Sequence, residues 1–206
     1  LRSVDAGATW ADEGALHEPD SAGRPYSYHG TFVSRLRDGT LVACPFRVDR
    51  SDAGRPLFSA TGGLVDNEPL LVLSYDGGRT WDAPRTAGLP AGMVATPAQG
   101  IVELEDGRWV WAFDQWPAYD DPGPYRPRML CLFSADRGRT WGDLVVMADG
   151  SPNGKGYWHG RPICRRDGRL FALLWSADMT RPEHGPLDLP IHSVRADAAG
   201  RGWDTP

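Results

Sequence analysis

Three copies of the pattern S-x-D-x-G-x-T-W, and three Asp-Gly pairs set between β-rich runs, predict an all-β chain whose unit is four antiparallel strands. That is the pattern of a β-propeller blade. The copies are "SVDAGATW" at 3–10, "SYDGGRTW" at 74–81 and "SADRGRTW" at 134–141, and a worn version, "ADAAGRGW", ends at Trp203. Their tryptophans, Trp10, Trp81, Trp141 and Trp203, are spaced by 71, 60 and 62 residues, and a repeated period decides architecture before any local reading does.

The elements follow in order within each period. Asp38-Gly39 joins "TFVSRL" to "TLVACPF", Asp106-Gly107 joins "GIVEL" to "RWVWAF", and Asp167-Gly168 joins "PICR" to "RLFALLW". An Asp-Gly pair between such runs signals a hairpin, here expected as a type I′ turn with both central residues at positive φ. A third run, "PLLVLS", "MLCLFS" or "LPIHSV", leads into the Trp motif, and the residues after the Trp supply a short fourth strand. No helical periodicity competes. The expected blades are 29–85, 96–145 and 160–206, with 1–12 as the last hairpin of a preceding blade. An arc of three blades leaves sheet faces and edges bare, so the expectation is a partial propeller, continued both upstream and downstream.

The Trp motif makes physical sense as a rigid turn between a blade's third and fourth strands. The Asp carboxylate and the Ser and Thr hydroxyls can bond backbone N–H groups inside the turn. Gly78 and Gly138 supply a conformation that a Cβ penalises. The Trp swings back between neighbouring sheets, so Trp81 and Trp141 are expected to be largely buried. A carboxylate tied up in this way is structural, and Asp76 and Asp136 are read so.

Composition excludes several classes. A net charge of -5 gives no electrostatic reason to expect nucleic acid as a partner. No apolar stretch approaches the ~20 residues of a membrane span, and no signal peptide opens the sequence. Cys44, Cys131 and Cys164 each lie in an apolar run and read as buried hydrophobes. His17, His29, His159, His184 and His192 show no metal-ligand spacing, and no phosphate-cradling loop is present, so neither metal nor cofactor is expected.

In this topology the Trp motifs and Asp-Gly turns share one face. The other carries long loops at about 12–30, 47–69, 84–98, 112–128, 144–161 and 176–192. These hold aromatic, arginine and carboxylate residues of the kind that bind sugars: Trp116, Tyr119, Tyr125, Arg126 and Arg128 in one, Tyr157, Trp158, His159 and Arg161 in another, and Asp66 and Glu68 in a third. Aromatic faces stack on pyranose rings, and guanidinium forks grip carboxylates.

S-x-D-x-G-x-T-W resembles the Asp box, or BNR repeat, of the sialidase (neuraminidase) superfamily, whose catalytic domain is a six-bladed propeller. The phrasing of "DGRWVWAFDQW" and "DLPIHSVRADAAGRGW" resembles a bacterial, exo-α-sialidase-like branch. The resemblance covers nearly the whole chain. It implies a glycoside hydrolase acting on terminal sialic or other acidic sugars, with three arginines on the sugar carboxylate, a Tyr nucleophile and an Asp acid/base. It also implies a secreted or periplasmic setting. The candidate catalytic residues on this sequence are Asp114, with Asp66 as the alternative acid, Tyr157 as nucleophile and Arg161, with His29, Glu68, Trp116, Arg128, Trp158 and His159 lining the ligand. His29 stands where the family places its first arginine, nine residues before Asp38. The alternative is a glycan-binding propeller without catalysis, which needs the aromatics and arginines but no acid/base group.

Overall fold

The structure, a computed structural model, describes residues 1–16, 25–123, 127–181 and 186–206. His17 and His184, and Tyr125 and Arg126 of the long 112–128 loop, lie outside the described residues. The chain is all-β: among the described residues the helical structure is one 3-10 turn, Ser151–Asn153. No helix among them is long and apolar enough to cross a membrane.

Thirteen strands form three antiparallel sheets. The first is β1 (Tyr26–Arg35), β2 (Leu41–Asp49), β3 (Asn67–Ser74) and β4 (Arg85–Thr86), paired in chain order. In the second, β5 (Val94–Pro97) and β6 (Val102–Glu103) share one edge of β7 (Trp109–Trp116), which continues through β8 (Arg128–Ser134) to β9 (Gly142–Asp149). The third sets β10 (Lys155–Cys164) against β11 (Leu170–Asp178), whose other edge takes both β12 (Leu187–Asp188) and β13 (His192–Ala196). The innermost strands begin earlier than the sequence suggested, at 26, 94 and 155, because each runs through a bulge or break before reaching its hairpin. After the worn motif Asp204 pairs with Arg195, its N–H donating to the Arg195 carbonyl at 2.9 Å.

The Asp-Gly hairpins differ from the expected type. Only the glycines have positive φ, at 89°, 84° and 79° for Gly39, Gly107 and Gly168. Leu36 and Thr40, Leu104 and Arg108, and Arg165 and Arg169 close three-residue loops, the first N–H donating to the second carbonyl at 2.8 Å in each. Glycine takes the left-handed position of such a loop. The Asp instead accepts the N–H two residues on, at 2.9 Å from Thr40, 3.0 Å from Arg108 and 3.1 Å from Arg169.

The Trp-motif turns are closed cages. Asp136 Oδ1 accepts from Ser134 Oγ, the Arg139 N–H and the Thr140 N–H, and Oδ2 accepts from Thr140 Oγ1. Asp76 repeats all four bonds in its own turn. These bonds, that from Thr140 first, hold Asp136 down to about 2. Gly138 has φ +73°, and a Cβ there would lie 2.6 Å from Leu71 of the first sheet. Trp141 packs against the same inter-sheet core, 5.4 Å from Trp111, yet it and Trp81 are only partly buried, short of the expected burial. Trp10 is 61% exposed. The fully buried tryptophans are Trp109 and Trp111 on β7.

β7 explains why. Its residues alternate between two covered faces: Trp109, Trp111 and Phe113 join Val42, Cys44, Leu71 and Leu73 of the first sheet, while Val110 and Ala112 join Leu170, Ala172 and Leu174 of the third. A strand buried on both faces reads as an unbroken apolar run, which "RWVWAF" is. Into that run, on the face toward the third sheet, the sequence places a carboxylate, Asp114.

Candidate active site

Asp114 is 2% exposed and stands opposite Thr96 on β5 and Met129 on β8. A buried carboxylate needs donors, and both come from one residue of the next sheet. The His159 backbone N–H donates to Asp114 Oδ1 at 2.7 Å, and His159 Nδ1 lies 3.0 Å from Oδ2. The carboxylate therefore fixes the proton on Nδ1 and leaves Nε2 pointing outward. His159 itself is half exposed, and its pKa is raised above 6.5 by the Asp114 hydrogen bond, against the opposing effects of burial and of nearby Arg161.

The backbone makes this pairing possible. His159 sits in the bulge between the Trp158 and Arg161 pairings of β10 with β11, at φ +51°. The matching bulge of β1, between His29 and Phe32, has Gly30 in that position at φ +53°. A non-glycine residue there is strained, and such outliers gather at functional sites.

Around His159 the other groups fall into place. Its ring stacks on Trp175, 5.7 Å between centroids and 8° between planes. The Trp175 Nε1–H donates to Asp188 Oδ1 at 3.2 Å. Arg161 follows the bulge and reaches over the Phe32 ring of β1 at 5.5 Å, so it spans from the third sheet's inner strand to the first's. No carboxylate among the described residues pairs with it. A groove of about 490 Å³ runs from His159 and Arg161 past Trp175 along Leu173, Phe171, Ile163 and Ile191. With His159 protonated, two cations stand beside the buried Asp114 carboxylate and the exposed Asp188 carboxylate.

The remaining candidates take other places. Tyr157 is 2% exposed, in the apolar cluster between the second and third sheets and edge-on to His192 at 5.7 Å. Burial raises its hydroxyl pKa, the direction opposite to the lowering that activates a nucleophile. Trp158 is 5% exposed beneath Trp175, with 5.3 Å between ring centroids. His29 stacks on Phe46 at 5.3 Å, and its Nε2 lies 2.8 Å from Ser27 Oγ. Glu68 is ion-paired at 2.6 Å to Arg47, whose guanidinium covers Tyr26. Arg128 donates to Gln115 Oε1 and stands 3.5 Å from Asp149. With Gln115, Asp121 and Trp116, Arg128 lines a separate pocket of about 380 Å³, and the Trp116 N–H is engaged by Thr96 Oγ1 at 2.9 Å. The structure thus joins Asp114, His159 and Arg161, with Trp158 below them, and leaves His29, Glu68 and the Trp116–Arg128 pair in separate surroundings. Trp175 and Asp188 escaped the sequence reading. Trp175 is the last residue before the expected 176–192 loop, and its place across from Trp158 is the register signal that points to it.

Comparison with protein-family models gives no match, and neither does sequence comparison with curated proteins. Solved structures do match in fold. A protein of unknown function from Dyadobacter fermentans superposes with a TM-score of 0.63 at 19% identity, over 86% of this chain and 50% of that one. The Hadza microbial sialidase Hz136 gives 0.62 at 18%, over 98% and 38%. The Penicillium chrysogenum α-L-arabinanase, solved with arabinobiose, gives 0.61 at 16%, over 98% and 56%. At these identities the likeness is one of fold, and the fold is an all-β one of antiparallel sheets matching propeller-like glycosidases. The chain spans about half the length of these structures.

Proposed function

We propose that this chain belongs to a carbohydrate-active propeller of the sialidase type that works on an acidic glycan at the rim formed by Asp114, His159 and Arg161. The observation that carries the reading is the Asp114–His159 pair: a buried carboxylate holding one exposed imidazole by backbone and ring, beside an arginine that pairs with no carboxylate among the described residues. Arg161 suits a sugar carboxylate, and a charge-assisted fork contributes roughly 1.5–3 kcal/mol. Asp114 orients and His159 transfers the proton, since His159 has the exposed nitrogen. The likeness to a sialidase and an arabinanase supports a glycan as the ligand class. Phe171 and Leu173 stand in register with Val110 and Ala112, which the third sheet covers, each pair set four and six residues past its Asp-Gly aspartate.

The test uses the longest soluble form of the protein with sialosides, uronic-acid glycosides and neutral glycans. Binding or turnover confined to acidic glycans, and reduced at least tenfold by Arg161→Ala, is the expected result. Equal response to neutral glycans, or indifference to Arg161→Ala, overturns the site. Binding without turnover selects the glycan-binding alternative.

A further inference from the structure

Among the described residues the rim holds one exposed imidazole, His159, and one exposed carboxylate, Asp188, where glycoside hydrolysis ordinarily uses two carboxylates. Asp114 accepts two bonds from His159 and is buried, Tyr157 lies in the core, and Asp188 accepts the Trp175 indole N–H. What stands open is an imidazole with a carboxylate behind it and a guanidinium beside it. That set suits a different bond-breaking reaction of acidic sugars, in which the carboxylate is part of the chemistry.

We propose that the site cleaves a uronic-acid glycan by β-elimination, with His159 as the base and Arg161 as the group that holds the uronate carboxylate. This rests on the acidic-glycan reading above and names its reaction. The proton on C5 of a uronosyl residue is adjacent to the carboxylate, so a cation on that carboxylate stabilises the charge that develops when the proton leaves. His159 Nε2 takes the C5 proton. The C5–H electron pair forms the C4=C5 double bond, the C4–O glycosidic bond breaks, and the departing oxygen takes the proton from the imidazolium. No water is consumed, and His159 ends neutral, as it began. Asp114 is a positioning residue: it keeps the proton on Nδ1, so that Nε2 faces the substrate, and stabilises the imidazolium formed midway.

The experiment offers polygalacturonate, alginate and hyaluronan to the longest soluble form of the protein. It follows the ultraviolet absorbance of the conjugated 4,5-unsaturated end and the product masses, beside a fluorogenic sialoside and direct binding measurements. The expected result is an unsaturated product from at least one polymer, one water lighter than the hydrolysis product. The rate should fall about 100-fold or more in His159→Ala and His159→Gln, within the range for loss of a general base. Methyl esterification of the polymer should weaken binding, since it removes the charge that Arg161 holds. Asp114→Asn should lower kcat with little change in KM and move the acidic limb of the pH profile to lower pH, which a merely structural role would not do; melting temperatures show whether each variant folds. Cleavage that adds water, binding with no cleavage, or elimination unchanged in both His159 variants overturns the proposal while the acidic-glycan reading stands. No response to any acidic glycan removes both.

Discussion

Two aspartates, Asp136 and Asp114, show how differently one side chain serves this molecule. Asp136 accepts four hydrogen bonds, all from residues within four positions of it, in a turn open to solvent. Asp114 accepts two, both from His159, 45 residues away on another sheet and away from solvent. The first carboxylate folds its own neighbourhood. The second joins two sheets and, through the ring it holds, sets a chemical group at their rim. A local cage can recur wherever the turn recurs; a long-range pair exists once, where the fold brings its partners together.

The sharpest way to break the contrast is through activity. Asp114→Asn should reduce turnover or glycan affinity severely, by about 100-fold where proton transfer limits the rate, while Asp136→Asn should leave it unchanged per folded molecule. Loss of activity in Asp136→Asn at full stability would show that the turn carries chemistry after all.

Stability should rank differently. Trp111→Ala, with no exposed surface at the wild-type residue, should cost about 3–5 kcal/mol. Trp141→Ala should cost less, because that ring is only partly buried. Asp114→Ala leaves the part-buried His159 N–H without its acceptor and should cost about 1–3 kcal/mol. Asp136→Ala should lower the melting temperature through the opened turn. Chemical denaturation of the four variants gives the order, and a Trp141 loss equal to that of Trp111 would mean the motif tryptophan is core.

The difference also explains what the sequence disclosed. S-x-D-x-G-x-T-W and the Asp-Gly loops close their bonds within a few residues, so spacing alone revealed turn, strand and sheet. Even there the turn type was misread, because Asp38 takes the capping position and Gly39 alone the left-handed one. The rim was legible only as a set of residue types. Nothing local marks His159 as the residue with glycine's backbone, or Tyr157 beside it as core, since both follow from the bulge that ends the Trp158 pairing. Asp114 stood out as a charge at the end of an apolar strand; its partner could not be read without the neighbouring sheet.

Acidity separates the pair next. Asp136 is held down to about 2 from 3.8, so its contribution to stability is present above the ordinary value and is lost as pH falls toward 2. His159 is raised above 6.5, so its contribution is complete below that ordinary value and fades as pH rises through the raised one. The melting-temperature deficit of Asp136→Ala should therefore shrink on the acid side, and that of His159→Gln on the alkaline side of neutrality. Parallel curves for the two variants against wild type across both ranges would contradict the opposite signs.

The smallest expected effect separates fold from chemistry most cleanly. His159→Gly removes the imidazole but keeps the backbone N–H that Asp114 Oδ1 accepts at 2.7 Å. It also relieves a φ of +51°, which costs a non-glycine residue about 1–2 kcal/mol. The lost ring contacts, with Asp114 Oδ2 and the Trp175 face, are half exposed and of similar size to that relief. Glycine already occupies the matching place in β1, so the backbone accepts it. Stability should stay within about 1 kcal/mol of wild type, since compatible glycine changes act mainly through the backbone, while proton transfer at the rim disappears. A large loss of stability would make His159 a structural clamp between the second and third sheets. Retained turnover would move the proton-transfer role to another residue and leave the strained backbone without a chemical purpose.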